Sequence, residues 1–487
     1  MKRMYIAGEL VSGGSTHEVT SPATGQPVAT VAWAGEAEAI RALEAAEAAL
    51  PAWSASSVEE RGEWMHRLRE AVLAEAKMLR ECVVQETGKT WEQSEEDVQS
   101  LLDSLEFYAR EVNRFAPEEL PDAAGTHRHE LVYEPVGVVV AFIAWNFPLL
   151  NLAFKIGPAM AAGCPIIIKP SVKSPLAAYA VGELCHRIGL PPGVVNIVCG
   201  DDDVVGDTLS RSTVPALLTL IGSARTARRI MELGSSSVKR YSMELGGNAP
   251  VLVFPDADLD LAADTVSALK FGNAGQVCVA PNRVFVHVDV AQQFTERLTQ
   301  RAGRVRVGAG PEGSVDMGPL IDAGAVRRVA GLVEDAVANG AQLLTGGTRP
   351  PGLEAGSYFT PTVLAGVQPE MRIYQEEVFG PVVSVLTFKD ETEVLAAANA
   401  TQAGLSSFVF TGDSDRADRC AQALRFGEVQ VNGVKYAIDL PHGGIKQSGV
   451  GHDCSYLALH DYLAPKRVTR ALVRQKGQGE HELPAAP

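Results

Sequence analysis

The chain has 487 residues, 46% hydrophobic and 21% charged, which are globular values for a length that calls for two or three domains rather than one core. Its 43 Lys and Arg against 59 Asp and Glu leave a formal net charge of -16, and no basic block interrupts that excess. This excludes a nucleic-acid surface built on neutralising phosphates.

The opening MKRMYIAGEL has no apolar core long enough for a signal peptide, and the most apolar stretch, Val136 to Trp145, is too short to span a bilayer. The expectation is a cytoplasmic protein with no membrane partner. From about Ala37 to Phe115, apolar residues recur at helical spacing, as in AEAIRALEAAEAAL and EEDVQSLLDSLEFYAREVNRF. Between Leu131 and Val198 the texture changes. Apolar β-rich runs (LVYEPVGVVVAFIAW, PIIIKP, VVNIV) alternate with helical ones (FKIGPAMAAG, LAAYAVGELCHRIG), the pattern of a parallel sheet with crossover helices. ALLTLIG, APVLVF and NRVFVHV read as further strands, with ARTARRIMELGSS as a helix. A second α/β rhythm follows Glu244, with helices in VAQQFTERLTQRA and GAVRRVAGLVEDAVANG and strands in VVSVLTF, SSFVFTG and GEVQVN. Two rhythms predict two α/β domains with a cleft between them. The alternation in the tail KRVTRALV suits an edge strand completed by another subunit, or equally a frayed terminus.

Five segments place reactive or ligand-binding residue types at element boundaries. AWNFPLLN (144 to 151) sets Asn146 between two aromatics after a buried strand, where its amide suits an oxyanion and also an ordinary turn. IIIKPS (166 to 171) sets Lys169 at the end of an apolar strand, the edge where ligands of open α/β sheets collect; a strand simply meeting water would look the same. In LTLIGSARTARR (218 to 229), Gly222 and Ser223 turn a strand into a helix whose N-terminus suits phosphate, although no GxGxxG is present and an ordinary turn explains it. MELGGNAP (243 to 250) carries Glu244 before paired glycines, a tight and poorly hydrated place that would raise a carboxyl pKa; a salt-bridged Glu is the plainer reading. FGNAGQVCVAPNR (271 to 283) surrounds Cys278 with small residues, leaving the sulfur accessible and near a helix N-terminus that would favour thiolate. Cys278 is one of seven widely spaced cysteines, with no CxxC pair and no His at zinc-ligand spacing, so neither disulfides nor a metal is expected. Any one of the seven taken singly reads as a small buried hydrophobe.

In combination and in order, Asn146, Lys169, the Gly222–Ser223 turn, Glu244, Cys278, EEVFGPV (376 to 382) and PHGGIKQSGVGHD (441 to 453) resemble the aldehyde dehydrogenase superfamily over essentially the whole chain. The resemblance implies a Rossmann-like cofactor domain (residues 1–114 and 136–245), a second α/β catalytic domain (246–445) and a small oligomerisation β-segment (115–135 and 463–487) in a homodimer or homotetramer. It implies NAD(P)-dependent oxidation of a small-molecule aldehyde through a thioester on Cys278. Asn146 and the Cys278 N–H would form the oxyanion hole, and Glu244 would activate the hydrolytic water. Lys169 and Glu377 would hold the cofactor riboses, Phe379 would pack near the nicotinamide ribose, Gly222 and Ser223 would meet the pyrophosphate, and Trp145 would line the same cleft. The substrate tunnel would draw on Leu150, Phe154, Val277, Val279, Ile438, Asp439 and His442.

Two departures bear on the cofactor. Val172 stands where NAD-preferring relatives often carry Glu, which weakens strict NAD use; the acidic run Asp201 to Asp203 would disfavour an extra phosphate, whereas Lys173 would welcome one. NAD is slightly favoured. His442 replaces a common aromatic, and PHGG is similar to the aminoaldehyde branch. Asp97 and Asp439 are the candidates to meet a cationic tail, which makes an ω-aminoaldehyde one substrate expectation and an aliphatic or aromatic aldehyde the other. A non-redox thiol esterase or an inactive binding protein of the same fold would be expected to have lost Lys169, Glu377 and Phe379 or the catalytic trio, and all are present.

Overall fold

A computed structural model describes residues 1–472; the remainder of the expected C-terminal oligomerisation segment, 473–487, lies outside the described residues. An eight-stranded sheet holds five adjacent parallel strands in the order Arg240–Leu245, Pro215–Gly222, Val138–Phe142, Ile166–Lys169 and Val195–Ile197. Val138–Phe142 and Ile166–Lys169 are buried along their whole length, as crossover helices on both faces require. Antiparallel strands flank this parallel centre, Gly449–Val450 at one edge and Met4–Ile6 with Glu9–Val11 at the other. The two N-terminal strands are three residues each, too short for periodicity to reveal.

The second sheet has seven strands. Gln342–Thr345 is antiparallel at its edge, and Thr362–Ala365, Val382–Phe388, Pro281–His287, Ala249–Val253, Ser406–Phe410 and Glu428–Val431 follow in parallel. One apolar core draws on residues between Met4 and Leu245 together with Ala458, Leu459, Tyr462 and Leu463. A separate core draws on residues between Ala249 and Phe426. The chain crosses from one sheet to the other directly, out of Arg240–Leu245 through Gly246 and Gly247 into Ala249–Val253.

The run LVYEPVGVVVAFIAW holds two strands. Gly137, at φ 131°, breaks it, so that Val138–Phe142 enters the first sheet while His127–Pro135 joins a three-stranded sheet with Glu118–Leu120 and Leu463–Ala471. Leu463–Ala471 pairs antiparallel with His127–Pro135 over nine residue pairs, and its other edge has no strand partner among the described residues. Among the described residues, no helix is long and apolar enough to cross a membrane, and no cluster of three His, Cys, Asp or Glu could hold a metal ion.

Candidate active site

The two sheets face each other with opposite edges. Asn146 follows Val138–Phe142, Lys169 ends Ile166–Lys169, Ser223 follows Pro215–Gly222 and Glu244 lies at the end of Arg240–Leu245, so all four lie at the carboxyl edge of the first sheet. Register keeps them level, with Phe142 beside Lys169 and Ile221 beside Glu244. From the second sheet, Cys278 precedes Pro281–His287, Glu377 and Phe379 precede Val382–Phe388, and Glu428 opens its own strand. The second sheet therefore contributes its amino edge.

Close approach depends on the paired glycines. A Cβ on Gly246 would stand 2.3 Å from Glu377 Oε2, and one on Gly247 would stand 2.6 Å from the Cys278 carbonyl oxygen. Either alanine would push the crossover strand away from the loops it must touch. The Gly247 N–H donates to Glu377 Oε1 at 3.1 Å.

Cys278 is half-buried, whereas the other six cysteines are buried. No helix starts beside it, contrary to the sequence expectation. It follows a tight turn in which Asn273, Ala274 and Gly275 all take left-handed φ (46°, 52° and 72°). Two non-glycine residues in that region cost roughly 1–2 kcal/mol each, so the turn must be held from outside. Gln276 does this: Nε2 donates to the Asn273 carbonyl at 3.0 Å, and Oε1 accepts from the Ile321 N–H at 2.8 Å. Asn146 Nδ2 donates to the Gln276 carbonyl at 3.0 Å, and Asn273 Nδ2 donates to the Asn146 carbonyl at 3.0 Å. Asn151 Nδ2 donates to Asn146 Oδ1 at 3.3 Å, which sets the amide orientation. Asn151 sits on the helix Pro148–Ala162, which begins with proline and ends on left-handed Gly163.

Glu244 is only 4% exposed and neither carboxylate oxygen makes a well-formed hydrogen bond. Burial pushes its carboxyl up to about 8; His442 opposes the rise, Asp453 adds to it, and Lys155 and the nearby Gly444 N–H oppose it. Lys155 and Asp453 are themselves a buried ion pair at 2.6 Å through Oδ1. His442 Nε2 lies 4.0 Å from Glu244 Oε2, and its Nδ1 is 2.6 Å from Glu428 Oε1. Burial alone would lower the imidazole; its bond to Glu428 and the neighbouring Glu244 charge contribute to holding it well above its ordinary value. Imidazole and buried carboxylate thus meet at one point.

On the other side of the asparagine, Trp145 and Phe379 stack edge to face with centroids 5.5 Å apart. With Lys173, Ile321, Asp322 and Arg328 they line a cleft of about 310 Å³. Phe379 is left-handed (φ 45°), and Arg328 holds the EEVFG loop by donating to the carbonyls of Glu377, Val378 and Phe379. Burial pushes Glu377 up to about 7 against the pull of the Gly247 N–H, Lys270 and Arg328. Lys169 is ion-paired with Asp202. Ser223 caps the helix Ala224–Gly234, accepting from the Thr226 N–H at 3.2 Å. A slightly larger cavity of about 350 Å³, between Val84–Trp91 and Gly308–Val315, holds none of these residues.

Of the expected tunnel residues, Leu150 and Phe154 lie one helical turn apart and half-buried, and Phe154 meets His442 at 6.4 Å between ring centroids. Val277 and Ile438 are half-buried, Val279 is buried, and Asp439 is exposed. Asp97 does not serve as a binding carboxylate for a cationic tail. It is fully buried, paired with Lys89 at 2.5 Å, and accepts from the Leu149 and Leu150 N–H groups, so its charge is spent on the start of the helix Pro148–Ala162. Lys173 is likewise engaged, by Asp322 at 2.6 Å. Glu428, Tyr436, Gln276, Asn151, Arg328 and the Lys155–Asp453 pair carry no sequence motif that isolates them; GEVQVN and FGNAGQVC contain two of them in plain view.

Two largely parallel sheets meeting edge to edge over a half-buried thiol and a buried carboxylate, with an aromatic-walled cleft beside them, define a two-core α/β protein with an enzyme-like site at the junction. The sequence profile of the aldehyde dehydrogenase family matches residues 10–468. The chain is 38% identical to glutarate-semialdehyde dehydrogenase of Pseudomonas putida over 468 residues, 96% of this chain and 97% of that protein. Among solved structures it superposes at TM-score 0.94 on an Escherichia coli NADP-dependent enzyme, with 36% identity over 97% of this chain and 98% of that one. It matches betaine aldehyde dehydrogenase of Staphylococcus aureus in complex with NAD+ at TM-score 0.94, with 33% identity over 98% and 96% of the two chains. The chain belongs to the aldehyde dehydrogenase family.

Proposed function

We propose that this enzyme oxidises an ω-aminoaldehyde to the carboxylic acid through a thioester on Cys278, with NAD preferred over NADP. The observation that carries the chemistry is a half-buried thiol, Cys278, in the same sheet junction as the buried carboxylate Glu244, the Cys278 carbonyl lying against Gly247. An aldehyde carbon gives up hydride readily only once it is tetrahedral. The Cys278 sulfur forms the S–C bond that makes it so, as the carbonyl π pair moves onto oxygen. The second N–H of Asn146 Nδ2 and the Cys278 N–H are the donors for that oxygen, and losing one such donor typically costs roughly 3 kcal/mol. A bound nicotinamide cofactor supplies the hydride acceptor. Glu244 then takes a proton from water, the water oxygen attacks the thioester carbon, and the C–S bond breaks to release the acid.

The residues present fit such a cofactor: the cleft walled by Trp145 and Phe379 is also lined by Lys173 and Arg328, and Arg328 holds the Glu377–Phe379 loop beside it. Lys169 and Glu377 would hold the riboses, Phe379 the nicotinamide ribose face, and Ser223 at its helix N-terminus the pyrophosphate. The NAD preference rests on Asp202, which pairs with Lys169, and on Asp203 and Asp207, which engage Arg229. An extra phosphate would meet carboxylates there. The core containing residues 1–114 and 136–245 is assigned to the cofactor, 246–445 to the catalytic domain, and 115–135 with the C-terminal strand to assembly through the open edge of Leu463–Ala471. A monomer in analytical ultracentrifugation would sink the assembly assignment.

The substrate assignment rests on the aromatic rings of Phe154 and Tyr436 and on the exposed carboxylate of Asp439. Aromatic faces and a free carboxylate suit an ammonium tail. An aliphatic or aromatic aldehyde is the second reading, favoured by the apolar Leu150, Val277 and Ile438.

The experiment is a panel of 4-aminobutanal, hexanal and benzaldehyde, each with NAD and NADP. A higher kcat/KM for the amine, reduced by Asp439→Asn, supports the assignment; no advantage for the amine and no effect of Asp439→Asn ends it. Cys278→Ala should bind cofactor yet form no NAD(P)H, and retained turnover would refute the thioester.

A further inference from the structure

His442 stands between two carboxylates. Its Nδ1 lies 2.6 Å from Glu428 Oε1, and its Nε2 lies 4.0 Å from Glu244 Oε2. A neutral imidazole has one donor and one acceptor nitrogen, so one of them would set its lone pair against a carboxylate; only the imidazolium turns an N–H to each. The chain holds the ring in this place. The His442 N–H and carbonyl bond to the Asp453 backbone at 2.9 and 2.8 Å. A Cβ on Gly427 would overlap the Gly443 carbonyl oxygen, so the loop packs directly on the start of Glu428–Val431. Gly449 pairs in register with Glu244, and a Cβ on Gly443 would come within 3.3 Å of Glu244 Oε1. PHGGIKQSGVGHD therefore wraps the Glu244 carboxylate, with Gly443 against one oxygen and His442 facing the other. The other ionisable groups of the junction do not replace this cation. Lys155, from Pro148–Ala162, is paired with Asp453 Oδ1 at 2.6 Å. The thiols of Cys278 and Cys454 and the phenol of Tyr436, whose ring lies 6.3 Å from that of His442, carry no positive charge.

We propose that His442 is a positioning residue for Glu244: an imidazolium braced by Glu428, it supplies the charge against which the buried carboxyl loses its proton. This rests on Glu244 activating water against a thioester on Cys278. His442 gives up no proton in this role. Glu244 takes the proton of water as the water oxygen bonds to the thioester carbon, and the imidazolium keeps both N–H groups throughout. Burial drives Glu244 towards the neutral acid, which cannot act as a base, and an opposite charge at this distance drives it back. Glu428 offsets the cost of holding that charge in an enclosed place.

The test follows decay of the acyl-enzyme formed from hexanal and NAD in one turnover, quenched in acid and weighed as intact protein, from about pH 6 to about pH 10. His442→Gln keeps a polar group beside Glu428 without the charge. It should raise the pH of half-maximal decay by about one unit or more, the size expected on losing a nearby opposite charge. His442→Lys restores a cation and should bring the profile back towards wild type, which packing alone would not do. Independently of turnover, the infrared carbonyl band of protonated Glu244, identified by its absence in Glu244→Gln, should persist to higher pH in His442→Gln than in wild type. Superimposable decay profiles and carbonyl titrations for wild type and His442→Gln would overturn the proposal, as would an equal shift in His442→Gln and His442→Lys. If His442→Gln does not fold, His442→Phe carries the same comparison. Absence of any acyl-enzyme mass, even in Glu244→Gln, refutes the thioester reading instead, whereas an acyl-enzyme whose decay ignores His442 refutes only the role of His442.

Discussion

Asp97 and Glu244 are both enclosed carboxylates, 0% and 4% exposed, yet they have opposite lives. Asp97 is matched on every side, by Lys89 and by two N–H groups at the start of the helix Pro148–Ala162. Lys89 in turn lies 3.2 Å from the centroid of the Phe147 ring. Glu244 has no well-formed hydrogen bond on either oxygen and faces the imidazole of His442. A buried charge that is fully matched holds structure, and one left unmatched beside a reactive group is available for proton transfer.

Exchanging each carboxylate breaks the comparison most sharply. Glu244→Gln should lower steady-state turnover by about 10²–10⁴-fold, the usual worth of a general base, while a single stoichiometric burst of NAD(P)H survives in stopped-flow; loss of the burst together with turnover would show that Glu244 acts before hydrolysis. Asp97→Ala leaves Lys89 buried and unpaired and two helix N–H groups open. It should destabilise the fold by about 3–5 kcal/mol, read by denaturant unfolding, with an unchanged profile showing that the pair is dispensable.

pH sharpens the same contrast. Glu244 works as the carboxylate, so the hydrolytic rate should climb with pH and level off above about 8. For stability the sign is reversed. A carboxyl raised from its ordinary 4.5 to about 8 favours the folded state below about 4.5, and that advantage is lost as pH rises towards 8. Wild type should therefore lose Tm relative to Glu244→Gln across that window, and parallel curves would show that the carboxyl is not desolvated. The smallest effect is expected at the cofactor edge, where Ser223→Ala removes a helix cap worth about 1 kcal/mol; a Tm shift with no change in cofactor KM would confine Ser223 to capping.

Much of the architecture was legible because it rests on local periodicity. The strands around Ile166–Lys169 and Ser406–Phe410 and the helices Ala291–Arg304 and Ala323–Ala338 fall where apolar spacing puts them. The N-terminal strands escaped because three-residue strands carry no period; the break at Gly137, where one positive φ divides a continuous apolar run, is invisible to periodicity and falls beside the 135/136 boundary that the family resemblance implied. Asp97 misled for a related reason. Its position on a helix face says nothing of Lys89, eight residues away and brought opposite by packing.

The candidate site divides in the same way. Asn146, Lys169, Glu244, Cys278 and Glu377 stand in short motifs whose residue types and order already name a chemistry, since the reacting atoms belong to those side chains. What the order of residues cannot express is distance and dielectric. Lys155 and Asp453 are 298 residues apart yet paired at 2.6 Å, Glu428 and His442 are joined by a loop that brings Oε1 to Nδ1, and Glu244 is stripped of water. Those contacts arise where the carboxyl edge of one sheet closes on the amino edge of the other, and they set which group holds a proton.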